Sequence, residues 1–449
     1  FSVVIVKTLT LIMISLGLMI LRFSGDSYPK AVHRREGNVA VLLPILPDLS
    51  HTFIYREVLA MRRHGGCFKI FALAEGDRGI LHPEAKALLE ETIFVQKVSL
   101  TGYLALYLRF LTRYPLRVTR LLALYMSRDL GDMFLFADPN HLYSSLHPAR
   151  GLVLAGTLQE HDVSYIHVYG STYPATQAIV ASLLLGIPFS LSTFVDFDYG
   201  YDFKMFAEKA ELATFIVAVT RFCADRIVSM TSPQVRRKLH VIYHGIDRNY
   251  GTDYSAPRKT DAPRIIAIGR LVEKKGFEYL LRACSLLKAR GVDVTCTIVG
   301  AGPEEDRLRT MIKELRLEDK VALLGALPND QMRDLMASHD IVVAPSVYGS
   351  GGERDGIPTV LLEAMSCGIP VISTNISGIP ELVSNGENGL LVPERDESAL
   401  ADAMQKLIRD ADLRERLIGR ARERVLREFN TDKSATTLWS SIASAAVIR

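Results

Sequence analysis

Short apolar runs recur along the chain, and each is followed by a polar or glycine-containing turn and then by a stretch with helical spacing. An uninterrupted apolar run of about four to eight residues is typical of a strand buried on both faces of a parallel sheet. Such runs occur at 39–44, 68–73, 163–168, 187–194, 215–220 and 239–247, and again at 264–269, 294–300, 321–325, 341–344 and 370–373. The pattern predicts an α/β protein with two series of parallel strands.

A polar segment separates the two series. Residues 249–263 contain Gly251, Pro257 and Pro263 and predict an interdomain linker. We therefore expect two Rossmann-like doubly wound domains, at 39–248 and 264–430, facing each other across a cleft. Ligands of such folds bind beyond the carboxyl ends of the strands, so the loops after the strands are the first places to search for chemistry.

The N-terminus differs from the rest of the chain. Between Thr8 and Leu21 there is no charged residue, with Lys7 before this run and Arg22 after it. Residues 1–25 predict a membrane-associated segment, which lies on the bilayer, spans it or acts as a signal-like core. A helix of the folded core is the alternative. The polar residues that follow, up to position 38, predict a linker.

A second stretch with membrane-surface character lies between residues 101 and 128. It has no acidic residue, and arginines stand among leucines, tyrosines, a phenylalanine and a methionine at Arg109, Arg113, Arg117, Arg120 and Arg128. Arginines near helical spacing beside apolar residues suit a surface that meets anionic lipid headgroups. A helical excursion with a solvated arginine face is the alternative.

The composition mainly excludes some classes of partner and indicates the state of the cysteines. A formal charge of +3 on 449 residues does not indicate a nucleic-acid partner. The five cysteines are scattered and mostly flanked by apolar residues, which favours buried, reduced thiols and a catalytic body on the cytoplasmic side of the membrane. The sequence carries no indication of an oligomeric state.

The strongest candidate site is the glycine-rich loop at 346–358 with the helix start that follows it. Asp355 is followed by Gly356, Ile357 and Pro358, and then by Thr359, Val360 and an apolar run that ends at Glu363. A helix that begins near Pro358 presents unpaired backbone N–H groups, which favour an anionic or hydroxyl-rich ligand. We expect Asp355 at the loop tip and Glu363 on the helix to face the same pocket. Each acid alone would more simply be a surface charge or a cap.

A second candidate is the basic loop after the run at 264–269. Gly269 and Arg270 are followed by Lys275, which gives two cationic side chains within one strand-to-helix loop. Fixed positive charge is what a diphosphate leaving group requires as its bond breaks. A solvated basic loop is the alternative. Gly300 and Gly302, in the next such turn, are a weak nucleotide signal by themselves.

These motifs together resemble a known family. Residues 264–394 resemble the nucleotide-sugar half of the family 4 glycosyltransferases, which have the two-domain GT-B fold. The motifs are Gly269-Arg270, Lys275-Gly276, Gly300-Ala301-Gly302-Pro303, Pro345-Ser346, the pair of acids at Asp355 and Glu363, and Gly378-Ile379-Pro380-Glu381. The first half is similar to the exopolysaccharide, colanic-acid-type branch at 49–57, 174–176 and 185–190.

The resemblance implies a role for each motif. Arg270 and Lys275 would hold the diphosphate of a UDP- or GDP-sugar, Glu363 its ribose, and Asp355 with the backbone after it the transferred sugar. It also implies a retaining, metal-independent hexosyl transfer, with no cofactor, to a lipid-linked glycan or glycolipid acceptor. The final helix, at 431–449, would cross back onto the first domain.

Two departures from the family pattern affect the site. The family usually has Glu where this chain has Asp355, and many relatives have a histidine over the sugar where this chain has Phe194. Asp196 is a candidate replacement, and Ser50 and His167 are further candidates for acceptor or sugar contacts, although a structural role for His167 is an equal alternative. The loss of that histidine leaves open a non-catalytic relative that only binds nucleotide or glycan. A nucleotide-sugar epimerase is a third alternative.

Overall fold

The computed structural model describes residues 37–48, 51–78, 83–96, 98–119, 121, 147–194, 206–251, 263–327 and 329–446. Several expectations lie outside these residues. They concern the N-terminal segment 1–25, nearly all of the linker 26–38, most of the linker 249–263, Ser50, Arg120, Arg128 and Asp196.

The first domain is built on a parallel sheet with strand order β3-β2-β1-β4-β5-β6-β7. Its strands are β1 (Asn38–Leu43), β2 (Lys69–Ala72), β3 (Thr92–Phe94), β4 (Val163–Tyr169), β5 (Phe189–Thr193), β6 (Ile216–Ala218) and β7 (Leu239–Val241). Its helices are α1 (Thr52–Arg63), α2 (Pro83–Leu89), α3 (Leu100–Arg113), α4 (His147–Glu160), α5 (Tyr173–Leu185), α6 (Phe206–Leu212) and α7 (Arg221–Met230).

The second domain repeats this plan with strand order β10-β9-β8-β11-β12-β13, again all parallel. Its strands are β8 (Arg264–Ile268), β9 (Thr295–Val299), β10 (Val321–Leu323), β11 (Ile341–Ala344), β12 (Val371–Thr374) and β13 (Leu390–Val392). Its helices are α8 (Phe277–Ala289), α9 (Glu305–Glu314), α10 (Asn329–Ala337), α11 (Thr359–Ser366), α12 (Ile379–Leu382), α13 (Glu397–Arg409) and α14 (Ala411–Glu428).

The apolar runs became the central strands because both faces of each sheet are covered by helices. All seven residues of β4 and all four of β11 are buried. The prediction of an α/β fold with two doubly wound domains is confirmed. The apolar run at 239–247 is mostly not a strand, because β7 ends at Val241 and the chain then leaves the first sheet.

The last helix, α15 (Thr431–Ala446), belongs to the first domain by its packing. Ala435, Leu438 and Ile442 are fully buried in the same apolar cluster as residues of α1 and β1. The chain returns to this domain beside Ile246, whose N–H donates to the Phe429 carbonyl at 2.9 Å. Both domains therefore depend on the C-terminal end of the chain for part of their cores.

No helix in the described part of the chain is long and apolar enough to cross a membrane.

Candidate functional site

The Asp355 carboxylate lies under the loop at 346–358 and is the centre of a charged network. It is 2% exposed. Its Oδ2 lies 2.8 Å from Lys275 Nζ and accepts a hydrogen bond of 2.9 Å from Ser346 Oγ, while its Oδ1 lies 3.5 Å from Lys274 Nζ. The expectation that Asp355 stands at the loop tip is wrong, because two lysines and a serine draw the carboxylate beneath the loop.

Electrostatics keep Asp355 charged despite its burial. Desolvation alone would raise the pKa of this carboxyl group, but the ammonium groups of Lys275 and Lys274 and the hydroxyl of Ser346 outweigh it and hold the pKa below its usual value. Asp355 is therefore an anion at neutral pH. It holds the ammonium group of Lys275, whose side chain is 20% exposed.

The residues after Asp355 form the backbone site that the sequence predicts. Pro358 is the N-cap of α11, with φ −59° and ψ 125°, so the N–H groups of Thr359 and Val360 lie in the first helical turn. A Cβ atom built on Gly356 would meet nothing within 4 Å, so this part of the backbone borders open space. The arrangement suits a phosphate or a sugar hydroxyl placed at the start of α11.

Glu363, one turn into α11, makes an ion pair with the opposite domain. Its Oε1 lies 3.2 Å from the Nη1 atom of Arg56, which belongs to α1. Burial raises the pKa of Glu363, and the Arg56 guanidinium opposes that rise. The two carboxylates of the motif thus have different partners, Asp355 within its own domain and Glu363 across the cleft.

The glycines of the first two loops of the second domain are needed for close backbone packing. A Cβ atom on Gly300, which has φ +152°, would stand 1.9 Å from the carbonyl oxygen of Gly269, and one on Gly302 would stand 2.4 Å from that of Leu271. This contact holds the loops after β8 and β9 together. Arg270 follows Gly269 directly, and its side chain is exposed.

The first domain contains a group of packed aromatic rings that includes Phe194. The Phe194 ring is centred 5.2 Å from the ring of Phe53 and 5.2 Å from that of His244, and the Phe53 and His244 rings are 4.3 Å apart. We call these three residues the aromatic cluster. Phe194 is only 8% exposed, so the position expected to lie over the sugar is filled by packed apolar atoms.

His167 lies inside the first domain. It is fully buried, and its two ring nitrogens are 2.9 Å and 3.0 Å from the hydroxyls of Ser190 and Ser192. Burial lowers the pKa of His167 to about 3, so the ring is neutral. The structure contradicts its candidacy as a sugar contact, because the ring has no surface for a ligand and both of its nitrogens are occupied.

A carboxylate that was not singled out as a site residue joins the two domains. Glu381, in α12, accepts three hydrogen bonds of 2.8 Å, from the backbone N–H groups of Arg221 and Phe222 and from the hydroxyl of Tyr243. The first two donors are at the N-terminus of α7, where a negative charge is favoured. Beside this contact is a cavity of about 560 Å³, lined by Phe222, Tyr348, Ser377 and neighbouring residues.

The sequence indicates the candidate site residues but not the residues with which they form ion pairs and hydrogen bonds. Lys274, beside Lys275 in the basic loop, and Arg56, within the 49–57 segment, are not among the candidates that the sequence indicates. Glu381 was noted only within Gly378-Ile379-Pro380-Glu381. Each of these positions was inside a recognised motif, but its contact is made with a residue distant in sequence, so spacing gave no signal for it. No group of three or more His, Cys, Asp or Glu side chains among the described residues is placed to hold a metal ion.

Similarity to solved structures defines the class of fold. The structure matches that of Anabaena Alr3699/HepE, solved in complex with UDP and glucose, with a TM-score of 0.65 and 18% identity over 91% of this chain and 100% of the other. It matches sucrose-phosphate synthase from Thermosynechococcus elongatus with the same TM-score and 17% identity, over 92% of this chain and 100% of the other. The two facing Rossmann-like domains are thus a GT-B fold.

Sequence similarity indicates a glycosyltransferase domain. Residues 254–424 match the family described as "Glycosyl transferases group 1", so the chain carries a glycosyltransferase group 1 domain. The chain is 38% identical over 252 residues to a Salmonella typhimurium protein named as the colanic acid biosynthesis glycosyltransferase WcaL. It is 34% identical over 216 residues to the amylovoran biosynthesis glycosyltransferase AmsK of Erwinia amylovora.

These matches are partial. They cover 56% and 48% of this chain, and 61% and 52% of WcaL and AmsK. The chain thus matches the curated relatives over about half to three fifths of their length. The resemblance to glycosyltransferases of exopolysaccharide synthesis is confirmed, and the assignment to family 4 stays a prediction.

Proposed function

We propose that the protein is a retaining glycosyltransferase that moves a hexose from a nucleotide-diphosphate sugar to a lipid-linked glycan or glycolipid, in the synthesis of an exopolysaccharide or cell-envelope glycan. The names of WcaL and AmsK support the process, and the UDP and glucose in HepE support the class of donor. The donor would be a UDP- or GDP-sugar, and the transfer would proceed without a bound metal or cofactor.

The observation that carries this proposal is the placement of Lys275 on Asp355 beside the free start of α11. As the sugar–phosphate bond breaks, negative charge grows on the diphosphate. The Lys275 ammonium group and the N–H groups of Thr359 and Val360 would stabilise that charge, and Arg270 extends the cationic surface. Because Asp355 already holds Lys275 in position, little reorganisation is required during the reaction.

Retention of configuration would follow from attack on the same face as the leaving group. In this mechanism the acceptor hydroxyl approaches beside the departing diphosphate, whose oxygen takes the acceptor proton.

The test is a donor screen followed by two substitutions. Nucleotide-sugars are ranked by thermal shift, and turnover of the best is measured as release of nucleoside diphosphate, with and without extracted lipid-linked glycans. Lys275→Ala and Glu363→Ala should each lower kcat/KM by at least about 100-fold, because each removes a transition-state or orienting contact. Lys320→Ala is the control, since Lys320 pairs with the exposed Asp293. Near-normal turnover in both site variants would refute the assignment.

A second candidate, a non-catalytic relative that only binds nucleotide or glycan, is favoured by one observation. Phe194 occupies the position of the family histidine and is packed between two aromatic rings. The same screen separates the candidates. Transfer or slow hydrolysis of any nucleotide-sugar by the purified protein excludes the non-catalytic alternative.

The acceptor side of the proposal includes a membrane surface, and the region around α3 supports it. Leu108 is 53% exposed and Leu116 is 51% exposed, and the exposed Arg109 and Arg113 stand between them in sequence. Exposed leucines beside arginines suit an interface with anionic lipids. Arg117 does not belong to this surface, because its guanidinium donates to the Leu184 carbonyl at 3.1 Å.

This surface is tested by sedimentation with phosphatidylglycerol-containing vesicles. Leu108→Ser combined with Arg113→Ser should weaken binding at least about tenfold, since each removed lipid contact contributes roughly 1 kcal/mol. Leu426→Ser is the matched control, because Leu426 is 50% exposed on α14 of the second domain. Equal binding by the double variant and the control would remove the α3 region from the proposal and leave the segment 1–25 as the candidate.

A further inference from the structure

Arg56 is a buried cation that connects three elements. It lies in α1 and is 5% exposed. Its Nη1 is 3.2 Å from Glu363 Oε1, its Nε is 3.3 Å from Glu84 Oε1, and its guanidinium carbon is 5.4 Å from the centre of the Tyr250 ring. An arginine is almost never this buried unless it is paired. The planar guanidinium, with defined contacts on several sides, is therefore held in one orientation.

We propose that Arg56 is a positioning residue for the nucleotide donor: its guanidinium reaches across the cleft and holds the Glu363 carboxylate in place for the two ribose hydroxyls. The inference rests on the proposed function, in which Glu363 binds the ribose. It adds that a side chain of the first domain completes the proposed nucleotide-binding site. The affinity for the donor would then depend on how closely the two domains approach each other.

The geometry indicates that Arg56 positions the Glu363 carboxylate and does not compete with the ribose for it. Arg56 contacts only Oε1 of Glu363, and a carboxylate has about four lone-pair sites on its two oxygens. Oε2 has no partner among the described residues, so the ribose can bind without displacing the guanidinium. The Glu363 side chain is 14% exposed, which leaves a ligand access to it.

The charge of Glu363 depends on its surroundings, and Arg56 is the cation in direct contact with it. Only the ionised carboxylate can accept hydrogen bonds from both ribose hydroxyls. Burial and the charge of Glu84 raise the pKa of Glu363, whereas Arg56 lowers it. The titratable and charged groups that interact with it, from α1, α2, the turn after β7 and the end of α11, are Arg56, Glu84, Tyr250 and Cys367. Arg333 of α10 and Arg422 of α14 interact in turn with this group, Arg333 with Tyr250 and Cys367 and Arg422 with Cys367. Without Arg56 the carboxyl group should remain protonated to a higher pH.

The experiment measures binding of UDP and of GDP by calorimetry at about pH 8 and about pH 6, on either side of neutrality. Arg56→Met should raise the Kd of the preferred nucleotide by at least about tenfold, because a charge-assisted contact that orients the ribose carboxylate is lost. The loss should be larger at the lower pH, and Arg56→Lys should recover part of it. Arg63→Met is the control, since Arg63 is on the same helix but makes exposed ion pairs with Asp247 and Asp432.

The 2′,3′-dideoxy form of the same nucleotide separates positioning from a general structural effect. It lacks the hydroxyls that Glu363 would accept from, so wild-type protein and Arg56→Met should bind it equally, within about twofold. If Arg56→Met does not fold, the two nucleotides are compared on Arg56→Lys, for which a smaller increase in Kd is expected.

Three outcomes would overturn the inference. Unchanged or tighter binding of UDP and GDP by Arg56→Met would mean that Arg56 is neutral or competes with the donor. An equal loss for the dideoxy nucleotide would mean that Arg56 acts on the fold and not on the ribose contact. Wild-type protein that binds neither UDP nor GDP would refute the proposed function, and the inference with it.

Discussion

The two faces of the cleft differ in how their groups are held. On the face of the second domain, Asp355 pairs with Lys275 and Lys274 of the same domain, and the start of α11 leaves backbone donors open beside it. In the first domain, the three rings of the aromatic cluster pack against one another, and His244 Nδ1 lies 3.5 Å from Glu57 Oε2. The charged groups at Asp355 are thus held by partners of their own domain, whereas Glu363 is paired with Arg56 of the first domain.

This difference bears on the proposed donor and acceptor sides. Phosphate and ribose have fixed charges and hydroxyls, so the groups proposed to bind them need a specific geometry. An acceptor surface requires complementary shape, which many combinations of side chains can supply. We therefore expect substitutions on the donor side to have the larger effects.

The largest effect is expected for Asp355→Ala. The substitution leaves two lysine ammonium groups beside a cavity without their carboxylate, so Lys275 loses its position for the diphosphate. We expect kcat/KM to fall by at least about 100-fold and the free energy of unfolding to fall by about 1–3 kcal/mol. Steady-state kinetics and chemical denaturation measure both changes. Asp355→Glu is the control and should recover most of the activity, because the charge is kept; a dead Asp355→Glu with an active Asp355→Ala would contradict the pairing.

A smaller effect is expected where the domains are joined. Glu381→Gln replaces one oxygen that accepts hydrogen bonds by an NH₂ group that faces an N–H or O–H donor. The expected loss is about 1–3 kcal/mol of unfolding free energy, with a severalfold loss of activity as the domains lose their fixed approach. Calorimetry should show the unfolding transitions of the two domains separating. Glu387→Gln, at an exposed position in the same domain, should change neither property.

Phe194→His tests whether the missing histidine matters to this chain. Because the ring at this position is 8% exposed and packs against Phe53 and His244, the new imidazole would be held in apolar surroundings. We expect kcat/KM to change by less than about tenfold, which corresponds to about 1.4 kcal/mol in activation free energy. The measurement is transfer with the donor found in the screen. A gain of several hundredfold would instead show that the first domain had lost a catalytic contact, and the comparison of the two faces would need revision.

The smallest effect on activity is expected for His167→Gln, within about twofold, because His167 has no contact with the cleft. Its pKa of about 3 lies below the unfolded value, so the stability of the neutral ring is present above about pH 6.5 and is lost as pH falls toward 3. As the pH falls from about 6.5 toward 3, the free energy of unfolding of the wild-type protein should therefore decrease by about 1.4 kcal/mol more per pH unit than that of the variant. Denaturation at several pH values tests this; identical pH dependence would contradict the neutral ring.

Much of the fold was predictable because its signals are local. Apolar runs such as 39–44 and 341–344 are long enough to define buried strands, and Pro358 after a glycine marks the start of α11. The candidate residues Lys275, Asp355 and Glu363 of the second domain were identifiable for the same reason, because each occupies a short motif. The run at 239–247 was extended too far, because apolar residues that leave a sheet for a linker look like a strand until tertiary contacts are known.

The amino-acid sequence alone determined the two-sheet architecture and the candidate motifs that contain Lys275, Asp355 and Glu363, because each depends on residue types at short range. The tertiary structure decided which charges meet. It buried Asp355 against Lys274 and Lys275, enclosed His167 between two serines and brought Arg56 to Glu363, which is 307 positions away in the chain. A pairing at that separation leaves no periodic signal in sequence, because it arises only when two independently folded sheets present their strand ends to the same cleft.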